Sequence, residues 1–134
     1  MSKKIFIIED DANILFGLQA KFRVEGFEVE INNGGSHMIE VMDQIRKYQP
    51  SFIIADLVMP KISGFDLLQK IKADGTTNNI PVFIFTSLSD GDSKSRSEKL
   101  GADYYFIKTD FFIDEFIEKV VKIINNLEKI KVDK

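Results

Sequence analysis

The chain contains no cysteine. That excludes disulfides, thiolate metal sites and cysteine nucleophiles, and is compatible with a reducing compartment. It also lacks an excess of basic charge: the net charge is −3, Lys and Glu are balanced, and no block of one sign occurs. Without a basic stripe, direct binding to nucleic acid is not expected. No apolar run approaches membrane-spanning length, and Met1-Ser2-Lys3-Lys4 leads straight into a strand-like segment too short for a signal peptide. The expectation is a cytoplasmic protein without membrane insertion. The only histidine, His37, reads as a surface helix residue. What is present is enough for one core: 134 residues with 44% apolar content suit a single compact domain over 1–134. Its core runs from about 4 to 127, and a short polar tail follows over 128–134.

Apolar runs alternate with amphipathic stretches five times. Lys4 to Ile8 reads as a strand, followed by a helix from about Ala12 to Glu25 with apolar Leu15, Leu18 and Phe22, which Gly26 ends. Asp11 is its N-cap. Glu28 to Ile31 is a second strand, and a helix over roughly Ser36 to Tyr48 stops before Pro50. A third strand ends at Asp56. Ser63-Gly64-Phe65-Asp66 resembles a capping box, in which the Ser63 hydroxyl caps Asp66 and the Asp66 carboxylate reaches back, opening a helix through Lys72. Turn chemistry over Gly75 to Asn79 precedes a fourth strand, Pro81 to Thr86. Strand alternating with helix at this spacing implies parallel strands joined by right-handed crossovers: a three-layer α/β fold around a five-stranded parallel sheet.

The last two helices differ sharply. The segment from Ser89 to Lys99 must supply the fourth, yet it has no apolar side chain and carries four serines and a glycine. The fifth, about Phe112 to Leu127, has Ile113, Phe116, Ile117, Val120, Val121, Ile124 and Leu127 on a wide stripe, which predicts firm docking. Ile123 and Ile130 lie off that stripe and offer a dimer face.

Four strands deliver a polar group at their C-terminal ends, where open α/β sheets place their chemistry. They are Glu9-Asp10-Asp11, Asp56, Thr86-Ser87 and Lys108. Carboxylates of Glu9, Asp10 and Asp56 gathered at one edge repel one another unless a hard divalent cation sits among them. An oxygen-only donor set selects Mg²⁺, with Mn²⁺ as a substitute, over zinc. With metal bound, the Asp56 carboxylate can attack phosphorus to form an acyl phosphate, and Lys108 neutralises the developing charge on the other side.

Acid pair, single Asp followed by Met59-Pro60, hydroxyl and lysine, in that order, closely resemble the response-regulator receiver family of two-component signalling. The resemblance covers about Lys4 to Leu127. It implies the flavodoxin-like (βα)5 fold with strand order 2-1-3-4-5 and a stand-alone receiver. It also implies Mg²⁺ held by Asp10 directly, by Glu9 mainly through water, by Asp56 and by the main-chain carbonyl of Val58. Asp56 is then the phosphoacceptor, with Thr86 and Lys108 beside the phosphoryl group, Thr86 and Tyr105 as switch residues and Gly64 at the family's glycine after the Met-Pro loop. The phosphoryl source is a sensor histidine kinase or a histidine phosphotransfer protein, and the output is a contact with a downstream protein. The expected state is a monomer or a weak, phosphorylation-dependent dimer. The resemblance also implies that the chain is no turnover enzyme, although it phosphorylates itself from small donors and loses the group slowly. One departure is Thr109, where the family usually has proline after the lysine. Two rivals are a phosphorylation-independent interaction module and an aspartyl-phosphate hydrolase of the haloacid-dehalogenase type. The hydrolase class uses a further Asp two residues after the nucleophile as its acid/base, and this chain has Val58 there.

Overall fold

A computed structural model describes residues 3–133, with side chains through Ile130. The expected alternation is realised as β1 (Lys4–Ile8), α1 (Ala12–Val24), β2 (Glu28–Asn32), α2 (Met38–Tyr48) and β3 (Phe52–Ala55). Then follow α3 (Gly64–Ala73), β4 (Val82–Thr86), α4 (Gly91–Lys99), β5 (Tyr104–Ile107) and α5 (Ile113–Asp133), with a short 3-10 turn over Lys108–Asp110. The strands form one parallel sheet in the order β2-β1-β3-β4-β5.

The pleat divides the core. Phe6 and Ile8 of β1 face one side with Ile53, Val82 and Ile84, covered by Val41, Met42 and Ile45 of α2 and by Leu67, Leu68 and Ile71 of α3. Ile5 and Ile7 face the other with Ile54, Phe83 and Phe85, covered by Leu15, Leu18 and Phe22 of α1 and by Phe116, Val120 and Ile124 of α5. Strands buried on both faces explain why β1, β3 and β4 read as continuous apolar runs.

Local chemistry sets the helix ends. Asp11 caps α1 by accepting from the N–H groups of Asn13 and Ile14 at 3.0 and 3.2 Å. Gly26 follows that helix at φ +94°, a conformation L side chains rarely adopt. His37 is an exposed N-cap of α2 without a side-chain capping bond.

Two expectations need correction. Only half of the capping box forms: Ser63 accepts from the Asp66 N–H at 3.4 Å, while Asp66 makes no return bond, its carboxylate being one methylene shorter than the usual Glu. The supposed polar tail is not a tail, because α5 continues through Asp133. Nothing between Leu127 and Asp133 breaks a helix, and Glu128 is pinned by Lys3 at 2.6 Å. Lys134 lies outside the described residues. Among those described there is no cis peptide bond, so the chain passes from Lys108 to Thr109 in trans. No helix among them is long and apolar enough to cross a membrane.

Candidate functional site

In the order 2-1-3-4-5 the chain leaves β1 in one direction and returns past it to β3, so the crevice between these strands opens at their C-terminal ends. Glu9 and Asp10 follow β1 there, and Asp56 follows β3, its N–H donating to Ile8 O at 3.2 Å. Carboxylate oxygens of Glu9, Asp10 and Asp56 lie within 4.8 Å of one another. Thr86 ends β4, and Lys108 follows β5. The fold thus brings the expected groups to one sheet edge.

The electrostatics are those of a crowded anionic pocket. Glu9 and Asp56 are almost fully buried at 2% and 4% exposure, whereas Asp10 is exposed. The Lys108 ammonium lies between the two buried acids, 2.6 Å from Glu9 Oε1 and 2.8 Å from Asp56 Oδ2. Burial pushes Glu9 up to about 7, and the Asp56 charge adds to this against the hydrogen bonds from Lys108 and Asp11. Burial alone depresses Lys108, but its bonds to Asp56 and Glu9 outweigh that and hold the ammonium above its ordinary range. The other oxygen of Asp56, Oδ1, accepts the N–H groups of Leu57 and Val58 at 2.7 and 3.3 Å, which fixes the carboxylate plane.

A cation fits this donor set. Three hard carboxylates in one pocket, without His or Cys, match Mg²⁺ or Mn²⁺. Lys108 supplies one positive charge against three carboxylates, which leaves the pocket anionic. Beside Asp10 a shallow depression of about 360 Å³, lined by Phe16, Gly34, Pro60 and Lys61, leaves its carboxylate open to solvent.

A close backbone approach at Gly64 positions Asp56. At Gly64 an added Cβ meets Asp56 O at 2.2 Å and Leu57 Cα at 2.4 Å, so only glycine lets α3 begin against the Asp56 peptide. The Gly64 N–H donates to Leu57 O at 2.9 Å.

Thr86 and Tyr105 meet through a third residue. Thr86 is fully buried, and its hydroxyl oxygen accepts the Leu88 N–H at 3.4 Å. Tyr105 donates its phenol to Leu88 O at 2.8 Å. Burial, with the charges of Asp90 and Asp56, raises the Tyr105 pKa and keeps that phenol a donor. Sequence reasoning found both side chains but not the peptide between them. Nor did it find that Lys108 pairs with Glu9 as well as Asp56. The neighbouring β1 and β3 ends carried that signal, since a cation serving one serves both.

A doubly wound sheet of five parallel strands in the order 2-1-3-4-5 defines the flavodoxin-like class of α/β protein. Residues 5–121 match the response regulator receiver domain, and the chain belongs to that family. It is 31% identical over 121 residues to the chemotaxis protein CheV2 of Helicobacter pylori, covering 89% of this chain and 39% of that protein. It is 29% identical to the DNA-binding dual master transcriptional regulator RpaA of Synechocystis, covering 95% of this chain and 51% of RpaA. Among solved structures, the CheY-like receiver domain protein of Methanospirillum hungatei superposes with a TM-score of 0.82 at 25% identity, covering 96% of this chain and 98% of that one. The chain therefore spans about half the length, or less, of these two curated relatives.

Proposed function

We propose that this chain is a phosphoacceptor receiver: Asp56 takes a phosphoryl group from the phosphohistidine of a sensor kinase or phosphotransfer protein. The observation that carries this reading is the Asp56 carboxylate itself. One oxygen is tethered by two N–H groups and the other lies 2.8 Å from Lys108, at the centre of the acid cluster. Asp10, Asp56 and the carbonyl of Val58 would hold Mg²⁺, with Glu9 acting mainly through water, and the cation would supply charge neutralisation. Asp56 then attacks phosphorus as the phosphohistidine nitrogen leaves, and Lys108 balances charge on the phosphoryl oxygens. The Thr86 hydroxyl donates to one of those oxygens, and its shift moves Leu88 and Tyr105. The product is an acyl phosphate, so a low rate of spontaneous hydrolysis accompanies the signal; the chain is a switch rather than a turnover enzyme.

The output is a protein contact made by the surface around α4 and Tyr105, in a cytoplasmic monomer or weak, phosphorylation-dependent dimer. Direct nucleic-acid contact is not part of the proposal for these residues, which carry net negative charge. DNA binding is in the printed name of RpaA, of which this chain spans about half. Mass spectrometry after incubation with Mg²⁺ and acetyl phosphate tests the reading: the wild type gains one phosphoryl group and Asp56→Asn none. Equal labelling of the two would refute it.

A further inference from the structure

α4 is poorly provided with ties to the rest of the molecule. Its nine residues include no apolar side chain, and the only buried one, Ser97, spends its hydroxyl on Lys94 O within the same helix. Arg96 is the exception. Its guanidinium lies 4.1 Å from the ring centroid of Phe65, and it takes part in none of the ion pairs among the described residues. A planar cation on an aromatic face is a directional contact, which a lysine reproduces only in part.

Phe65 is not an arbitrary platform. It packs against the core on the α2 and α3 side of the sheet and follows Gly64, the residue pressed onto the Asp56 carbonyl. The first turn of α3 is therefore in contact with the Asp56 peptide at one end and with α4 through Arg96 at the other. The two backbones are in close contact: the Gly64 N–H donates to Leu57 O at 2.9 Å, and an added Cβ at Gly64 would lie 2.2 Å from Asp56 O.

We propose that Arg96 fastens α4 to the phosphoacceptor's own backbone through Phe65 and Gly64, as a route parallel to the one through Thr86 and Leu88. The fastening acts in the unmodified protein. Its role as a second route rests on Asp56 being the phosphoacceptor.

Hydrogen exchange on the full chain tests both parts. Without a phosphodonor, Arg96→Ala speeds exchange of the α4 amides by about threefold to fivefold and leaves α1 and α5 unchanged. Phe65→Leu, which keeps an apolar side chain in the core but removes the π face, does the same. The double variant is no faster than either single one, and Arg96→Lys falls between. With Mg²⁺ and acetyl phosphate, the change in α4 exchange persists in part in Thr86→Ala and vanishes when Arg96→Ala is added. The proposal is overturned if Arg96→Ala leaves α4 exchange at the wild-type rate, if the two single effects add, or if Thr86→Ala alone abolishes the response. Intact mass recorded in parallel separates the two readings: absence of a phosphoryl group counts against Asp56 as acceptor, and the fastening is then decided by the first arm.

Discussion

α4 and α5 flank the same edge strand, β5, yet they are held in opposite ways. α5 buries Phe116, Ile117, Val120 and Ile124 against the sheet, with the Phe116 ring stacked on Phe85 at 3.9 Å and edge-on to Phe106 at 5.2 Å. α4 is helical because its ends are satisfied. Asp90 accepts the Ser93 N–H at 2.9 Å, and past the last turn Gly101, at φ +107°, donates to Glu98 O at 3.0 Å. Forming a helix and anchoring one are thus separate problems. Most helix stability in proteins comes from a packed apolar face. α4 lacks such a face, and Arg96 on the Phe65 ring supplies a side-chain contact in its place.

The largest expected effect separates the two helices directly. Phe116→Ala removes a fully buried aromatic and costs about 3–5 kcal/mol in urea unfolding. Ser97→Ala removes a hydroxyl bonded within its own helix and costs less than about 1 kcal/mol. Similar losses for both would erase the distinction.

At the sheet edge the effects are smaller. Mg²⁺ at ten times its Kd stabilises the wild type by about 1.4 kcal/mol, read as a rise in Tm. Asp10→Asn removes most of that gain; an unchanged Mg²⁺ response in this variant contradicts the assignment of Asp10. Two residues after Asp56 stands Val58, which is half exposed, and two after Thr86 stands Leu88, which packs against the core. The Val58 side chain offers no hydrogen bond to an attacking water, so the expected outcome, if Asp56 is the phosphoacceptor, is a long-lived acyl phosphate. Val58→Asn speeds autodephosphorylation by up to about tenfold, equivalent to about 1.4 kcal/mol of better-placed water in the transition state. A wild-type lifetime of seconds, or a variant no faster, counts against this.

A further effect is in pH. Glu9 binds its proton more tightly in the folded state, with a pKa of about 7 against an unperturbed 4.5. The metal-free protein therefore loses stability as pH rises from about 4.5 to about 7, where the buried carboxylate must ionise. Glu9→Gln flattens that slope, measured as the difference between the two unfolding curves. A variant with the wild-type slope excludes Glu9 as its source.

Much of this was legible in the amino-acid order. Strands buried on both faces leave continuous apolar runs, so β1, β3 and β4 and the polar residues ending them stand out, and Asp11 reads as a cap from its place before an apolar period. The strand order was carried by the family resemblance rather than by periodicity, because alternation gives parallel strands without fixing their neighbours. Side-chain pairings between distant elements left no local trace: Lys108 with Glu9, Arg96 with Phe65, and the Leu88 peptide between Thr86 and Tyr105. The length of α5 was missed for a different reason. Its last turns are polar enough to read as solvated chain, and helix propensity together with the Lys3 to Glu128 ion pair decides the matter.

The most direct measurement is hydrogen exchange of α4 and α5 in the wild-type chain, before and after phosphorylation from acetyl phosphate with Mg²⁺. The account predicts that the segment from Ser89 to Lys99 is the least protected part outside the termini. It also predicts that α4 exchange changes on phosphorylation, while α5 amides from Phe116 to Ile124 stay protected throughout. Amides in α4 as protected as those of α1, or a phosphorylated protein whose α4 exchange is unaltered, would contradict it.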